Sequence, residues 1–224
     1  MIGTRGWRAV VLAGALCVGV HAHGQSMIAD MLAGALVDPE VGQWAWYQLT
    51  DESSGRTYHL RQAIVGEEEI NRRSGYWVEF ELAPRVGYTV VFRMLLTGPA
   101  SNPSNVHRIV YKYGPEEARE LPPEAIVDEE RERRPARRSE GMDVVETPAG
   151  YYRAERYSVE ERGRQLQVWI NNDILPSGIV QLASPDGRMV LHTFGTGGEY
   201  AQSVIEEQPV PGAHEGDEGA EEGA

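Results

Sequence analysis

Strict alternation of apolar and polar residues is the feature of this sequence that most restricts its fold. In the segment GYWVEFELAP, residues 75–84, the apolar side chains Val78, Phe80 and Leu82 recur at every second position. Successive side chains of a β-strand point to opposite faces, so this period predicts a strand with one apolar and one polar face. Glu79 lies on the polar face, and we expect a Glu79→Lys substitution to do little.

Similar segments recur along most of the chain and predict a sheet. They are bounded by turn-forming residues, such as DESSG at 51–55 and SPDG at 184–187. About nine strands with few helices indicate a mainly β protein built on one large antiparallel sheet or open barrel. The predicted strands are residues 43–50, 57–66, 75–84, 89–97, 106–113, 150–159, 164–171, 178–183 and 188–194.

Two segments depart from this pattern. Residues 26–37 carry apolar side chains at helical spacing, with Ser26 as N-cap and Pro39 as the end, which predicts a helix. Residues 115–140 are charged and rich in proline, and a short helix is predicted after Pro123. We favour the interpretation that the arginines of this insert pair with nearby acids in a solvent-exposed connecting segment. The alternative is that they form a basic surface that attracts anionic lipid head groups. They are Arg131, Arg133, Arg134, Arg137 and Arg138.

The N-terminus has the pattern of a secretory signal peptide. Arg5 and Arg8 precede an apolar run at 9–20, and small residues follow up to Gly24. This run is too short for a bilayer span, which needs about 20 residues. We expect cleavage after Gly24, with cleavage after Ala22 as the alternative. The expected location is the periplasm, and release outside the cell stays open.

Cysteine content and charge exclude several classes of function. The one cysteine, Cys17, lies within the predicted signal, so the mature chain would have neither a disulfide nor a thiolate site. The net charge of −13 would become −15 after loss of Arg5 and Arg8, which argues against a nucleic-acid partner. Seven acidic residues without a basic counterpart follow position 205, and we predict an acidic, disordered tail over residues 198–224.

The sequence carries no recognisable catalytic motif, and we expect neither an enzyme nor a cofactor. His59, His107 and His192 fall in three separate predicted strands. Alternation places His107 on the apolar side and His192 on the side of Phe194, whereas His59 faces away from Leu60. Because opposite faces of one sheet cannot share a metal ion, we expect no metal site. A pair of carboxylates acting as in a glycosidase stays open from spacing alone.

The apolar faces of the predicted strands would form one continuous surface if they align. With only one or two short helices to cover it, this surface would either enclose a cavity for an apolar ligand or form an ordinary core. The sequence leaves both alternatives open. The candidate ligand-binding residues are Tyr58, Leu60, Val78, Phe80, Phe92, Met94, Ile109, Tyr111, Val168 and Ile170.

Residues 145–195 contain a recurring set of structural motifs. They include a TPAG turn at 147–150, a VWI strand at 168–170 and an LPSGIV crossover at 175–180, followed by a hairpin. This pattern resembles the C-terminal half of the LolA-like lipoprotein-carrier superfamily, and more closely its uncharacterised exported bacterial relatives. The N-terminal strands are similar to that group as well, so the resemblance covers residues 41–197. These motifs mark the fold better than the activity.

The resemblance implies a strongly curved antiparallel half-barrel, an incomplete β-barrel closed by helices, that holds acyl chains on its concave face. It carries over no catalytic residue. On this basis we expect a non-enzymatic periplasmic binding protein for a lipid or a lipoprotein acyl chain. The alternative is an envelope interaction or sensor module with a filled core and no small ligand. We expect a monomer that contacts the membrane or other envelope proteins only transiently.

The predicted organisation has four parts. They are a signal peptide at 1–24, a helical segment at 25–40, a LolA-like β domain at 41–197 with the charged insert at 115–140, and an acidic tail at 198–224.

Overall fold

The computed structural model describes residues 36–123, 137–161 and 164–205, which form one antiparallel sheet of eleven strands. The sheet is curved and unclosed, and the mainly β fold class is confirmed. In chain order the strands are β1 (Gln43–Asp51), β2 (Thr57–Ile70), β3 (Arg73–Pro84), β4 (Val90–Leu96), β5 (Val106–Tyr113), β6 (Arg119–Leu121), β7 (Arg138–Thr147), β8 (Gly150–Glu161), β9 (Arg164–Ile170), β10 (Ile179–Ser184) and β11 (Gly187–Thr196).

The spatial order of the strands divides the sheet into two halves. It runs β6-β5-β4-β3-β2-β1-β11-β10-β9-β8-β7, so β1 and β11 join an N-terminal half to a C-terminal half. The edge strands are β6 and β7. All nine predicted strands are present, and the bounds of β5 match the prediction. The charged insert at 115–140 was not predicted to contain strands, but β6 and the beginning of β7 lie within it.

Helical structure is scarce in the described part of the chain. It contains no α-helix, and short 3-10 turns lie at Pro103–Asn105 and Glu199–Ala201. Leu36 and Val37, the end of the helix predicted at 26–37, are not helical. The rest of that prediction, the short helix after Pro123 and the signal peptide lie outside the described residues. None of the described helical turns has the length and apolar character needed to cross a membrane.

The apolar side chains of the strands meet on one face of the sheet, which we call the inner face. In β1, Tyr47 and Leu49 lie opposite Leu60 and Tyr58 of β2. The alternation continues through β3, where Phe80 is 1% exposed. Each such side chain contributes about 1.5–3 kcal/mol when fully buried. The period of two therefore produces the core that the sequence predicts.

A short segment after β11 covers part of the opposite face, which we call the outer face. This C-terminal strap, residues 199–205, crosses the N-terminal half and ends at Ile205, which is 3% exposed and packs with Val91 and Val110. Beneath it, Glu79 is fully buried and forms an ion pair with Arg61. The expectation that Glu79→Lys does little is wrong, because the strap removes this carboxylate from solvent. Residues 199–205 of the expected tail pack on the sheet.

The C-terminal half of the sheet curls back on itself. Its edge strand β7 pairs with β8 and also contacts β10 and β11. Trp169 of β9 is consequently only 8% exposed, and its indole nitrogen donates to Asp143 Oδ2 of β7 at 3.1 Å. This curl leaves a cleft between β7 and the strands that it approaches.

Candidate functional site

The structure brings all ten candidate ligand-binding residues into one cluster on the inner face. Phe92 and Ile170 are partly buried, and the other eight are at most 9% exposed. Leu60, Val78 and Ile109 have no exposed surface. Burial shows that these side chains pack together as the alternation predicts, while their role in ligand binding stays a prediction.

The loop between β9 and β10, residues 171–178, packs against the inner face. Its Ile174 is 1% exposed within the apolar cluster, and its Ser177 hydroxyl lies 3.2 Å from the hydroxyl of Tyr47. A 2.6 Å hydrogen bond from Gly178 N to the Ile174 carbonyl holds the loop in shape. The LPSGIV motif thus turns the chain and also inserts side chains into the core.

Several buried polar side chains lie among the apolar residues of the inner face, and three of them are Tyr47, Gln43 and Gln62. Burial raises the pKa of Tyr47 well above its usual value of 10, although the Ser177 hydrogen bond opposes this, so the phenol is neutral at physiological pH. Gln43 and Gln62 are 2% and 1% exposed, and neither side-chain carbonyl oxygen has a hydrogen-bond partner among the described residues. A buried acceptor without a partner costs about 1–3 kcal/mol, so each of these two oxygens is a polar point in the apolar face.

The histidine arrangement differs from the sequence expectation. The rings of His59 and His192 lie 6.1 Å apart, centroid to centroid, on the outer face. Leu191 and Thr193 pair with the consecutive β1 residues Tyr47 and Trp46, so His192 is the extra residue of a bulge and does not share a side with Phe194. His107 is separate and bonds to the Thr97 hydroxyl at 2.8 Å. The premise that placed these histidines on opposite faces is therefore wrong for His59 and His192.

Metal-binding groups in the described ranges are sparse. No set of three or more His, Asp, Glu or Cys side chains there is close enough to hold one ion. The expectation of a metal-free protein stays a prediction.

The cleft in the C-terminal half has a volume of about 430 Å³. One wall is β7, and side chains of β9, β10 and β11 form the other. The polar groups of this second wall are connected, because the Arg188 guanidinium donates to Gln181 Oε1 at 2.6 Å. The lining residues are Asp143, Val144, Val145, Glu146, Trp169, Gln181 and Arg188. Sequence reasoning did not find this cleft, because its two walls come together only through the curl of β7.

The two carboxylates of the cleft already have partners. Asp143 accepts from the Trp169 indole at 3.1 Å and pairs with Arg156 at 3.1 Å. Glu146 accepts from the Tyr151 hydroxyl at 3.0 Å. Arg188, in contrast, is exposed and forms no ion pair within the described residues.

Comparison with known proteins assigns no family to this chain. No protein-family model and no curated protein sequence matches the chain. A proposed exported protein with a YmcC-like fold from Bacteroides fragilis is 10% identical, with a TM-score of 0.39 over 73% of this chain and 100% of that one. A proposed lipoprotein from Parabacteroides distasonis is 9% identical, with a TM-score of 0.38 over 72% of this chain and 99% of that one.

Likenesses this distant carry no argument about the function of this chain. Membership of the LolA-like superfamily stays a prediction.

Proposed function

We propose that this chain is a non-enzymatic binding module of the bacterial cell envelope, with a filled core on the inner face and partner binding at its surface. The burial of the inner face carries this proposal. Side chains such as Leu60, Val78 and Ile109, which an acyl chain would have to contact, already have no exposed surface. We expected a carrier from the sequence, with a filled module as the alternative, and burial favours the alternative.

The loop at 171–178 gives a physical reason why the inner face stays closed. Each methylene of an acyl chain gains about 0.8 kcal/mol on leaving water. Entry at this face would first expel Ile174 and separate Ser177 from Tyr47, so equivalent protein contacts would be lost. Protein interiors are close-packed, and a ligand therefore gains little by replacing side chains that already fill the space.

One observation favours a second candidate, a carrier of an apolar ligand. The unpaired carbonyl oxygens of Gln43 and Gln62 would accept hydrogen bonds from a buried ligand that carries a hydroxyl, amide or ammonium group. The ligand would then be an amphiphile, with its chain along the inner face and its donor at these glutamines. In a module with a filled core, an ordered water at the same place would donate hydrogen bonds to these oxygens equally well.

Titration with a fluorescent fatty acid separates the two candidates. The filled module predicts no saturable change in fluorescence when delipidated protein is added. A saturable change that is lost in Gln62→Leu would support the carrier and contradict the filled module. Gln48→Leu is the matched control, because Gln48 lies on the outer face of β1 opposite His59 and Val190. It should leave the titration unchanged in either case.

A further inference from the structure

The geometry points to the free edge of β7 as a docking site for an extended peptide of a partner protein, with a carboxylate of that peptide bound by Arg188. This inference rests on the proposed function, since it gives the binding module a site and a class of partner. It uses the cleft of the C-terminal half and none of the ten candidate ligand-binding residues, although Val145 and Trp169, which line the cleft, belong to the same apolar cluster.

The edge of β7 itself forms one wall of the cleft. Four consecutive residues, 143–146, line the cleft, although alternate side chains of a strand point to opposite faces. A cleft that touches consecutive residues of both faces must follow the strand edge. Strand β7 is last in the sheet order and pairs only with β8. This edge is therefore open along the cleft in the described structure.

The hydrogen-bonding groups of two β7 residues point toward this edge. Thr147 and Gly150 flank the two-residue turn between β7 and β8, so they exchange hydrogen bonds with each other. Alternation then directs the backbone N–H and C=O of Val144 and Glu146 away from β8. No other backbone group in the described ranges bonds to them. An added strand would satisfy these donors and acceptors.

Arg188, on the opposite wall of the cleft, determines which charge an added strand would need to carry. Asp143 and Glu146 have partners within the cleft region, whereas Arg188 has no carboxylate partner in the described structure. Its guanidinium has five N–H donors, and the bond to Gln181 uses one of them. A carboxylate on the peptide would form a charge-assisted pair with the remaining donors.

The dimensions of the cleft fit a short segment. Its volume of about 430 Å³ falls in the range of about 300–1,000 Å³ that small-ligand pockets occupy. Exposed apolar side chains extend the surface along the same hairpin, since Val144 and Tyr151 are each 72% exposed. A peptide with alternating β-branched residues around one glutamate would match both the edge and Arg188.

The test is fluorescence anisotropy with a fluorescein-labelled peptide of sequence Thr-Val-Glu-Val-Thr-Val and the full chain. We expect a saturable increase. Val144→Pro removes the outward N–H without touching the pairing to β8 and should weaken binding by about tenfold, which is the loss of about one edge hydrogen bond. Arg188→Ala should weaken binding by a similar factor, and so should replacement of the peptide glutamate by lysine.

The matched control is Arg153→Ala, because Arg153 pairs with Val144 in the β7–β8 register but does not line the cleft. It should bind the peptide as the unaltered chain does. A peptide N-methylated at the valine after glutamate should bind less tightly, which keeps the test valid if Val144→Pro fails to fold.

Three outcomes would overturn the inference. They are no saturable anisotropy change up to about 1 mM peptide, equal loss in Arg153→Ala and Arg188→Ala, or binding that appears only after truncation behind Ile205. The last outcome would mean that the chain's own C-terminal residues occupy the edge. The fatty-acid titration is independent of these three outcomes. Failure of the peptide to bind would therefore not contradict the proposal of a filled core.

Discussion

The guanidinium of Arg61 donates to the carboxylate of Glu79 across β2 and β3, and the two side chains are 1% and 0% exposed. Arg61 also donates to Glu81 at 2.8 Å and to the carbonyl of Tyr200 at 2.8 Å. The Glu79 carboxylate also accepts a hydrogen bond from the backbone N–H of Val204 at 3.0 Å. This ion pair therefore fastens the C-terminal strap to the outer face.

Loss of one partner of this buried pair should destabilise the fold strongly. In Arg61→Met the carboxylate of Glu79 stays buried and loses its ion-pair partner, and we expect a loss of about 3–5 kcal/mol in the free energy of unfolding. Urea denaturation measures this loss. The control is Arg119→Met, which breaks an exposed pair with Glu116 and should cost at most about 1 kcal/mol. Similar losses for the two variants would contradict the account of the strap.

Truncation should distinguish the strap from the residues that follow it. Removal of residues 199–224 takes away the strap acceptors of Arg61 and uncovers Val91 and Val110, so the melting temperature should fall by several degrees. Removal of residues 206–224 alone should change it little, because that segment is acidic and has few apolar residues. Equal melting temperatures for the two truncated chains would show that the strap adds no stability.

Substitution of Phe80 tests the register of the inner face. Phe80→Ala should lower the free energy of unfolding by about 3–5 kcal/mol, because it leaves a cavity in a packed core. Phe80→Asp and Met94→Asp should prevent folding, because each places a charge in the apolar cluster. Val86→Asp is the control, since Val86 is 92% exposed between β3 and β4. Equal melting temperatures for Phe80→Asp and Val86→Asp would contradict the assignment of Phe80 to the inner face.

Asp51 should make stability depend on pH in the acid range. Hydrogen bonds from the Ser53 hydroxyl, and then from the backbone of Ser54 and Ser53, lower the pKa of Asp51 from 3.8 to about 2, although burial opposes this. A carboxyl with a depressed folded-state pKa stabilises the fold above its unfolded pKa, and this contribution is lost as pH falls from about 4 to about 2.

The comparison variant for Asp51 is Ser53→Ala, which removes the largest cause of the lowered pKa. Urea midpoints should show Ser53→Ala less stable at neutral pH, with the difference from the unaltered chain shrinking below about pH 4. A difference that stays constant down to about pH 2 would contradict this assignment.

Local alternation was enough to predict most of the sheet. It located β5 to the residue and placed all ten candidate residues in one apolar cluster. It missed β6, which has three residues, and β7, whose side chains are mostly exposed because it is an edge strand. An exposed edge strand needs no apolar face, so its sequence carries no period of two.

Features created by distant contacts could not be predicted from local patterns. The burial of Glu79 depends on a strap that lies about 125 residues away in sequence, and side-chain alternation alone describes only the two faces of a strand. A bulge that shifts the β1–β11 register puts Phe194 on the other face from His192, although strict alternation would place the two side chains together. The cleft beside β7 likewise arises from the curl of the C-terminal half.

The mass of the native protein tests the central claim most directly. Protein purified from the envelope of its own cells, under conditions that preserve noncovalent complexes, should show the mass of the mature chain alone. That result would agree with an inner face that protein side chains fill, as the burial of Leu60, Val78 and Ile109 indicates. A copurifying acyl species released on denaturation, and absent from a Gln62→Leu variant, would contradict the filled core.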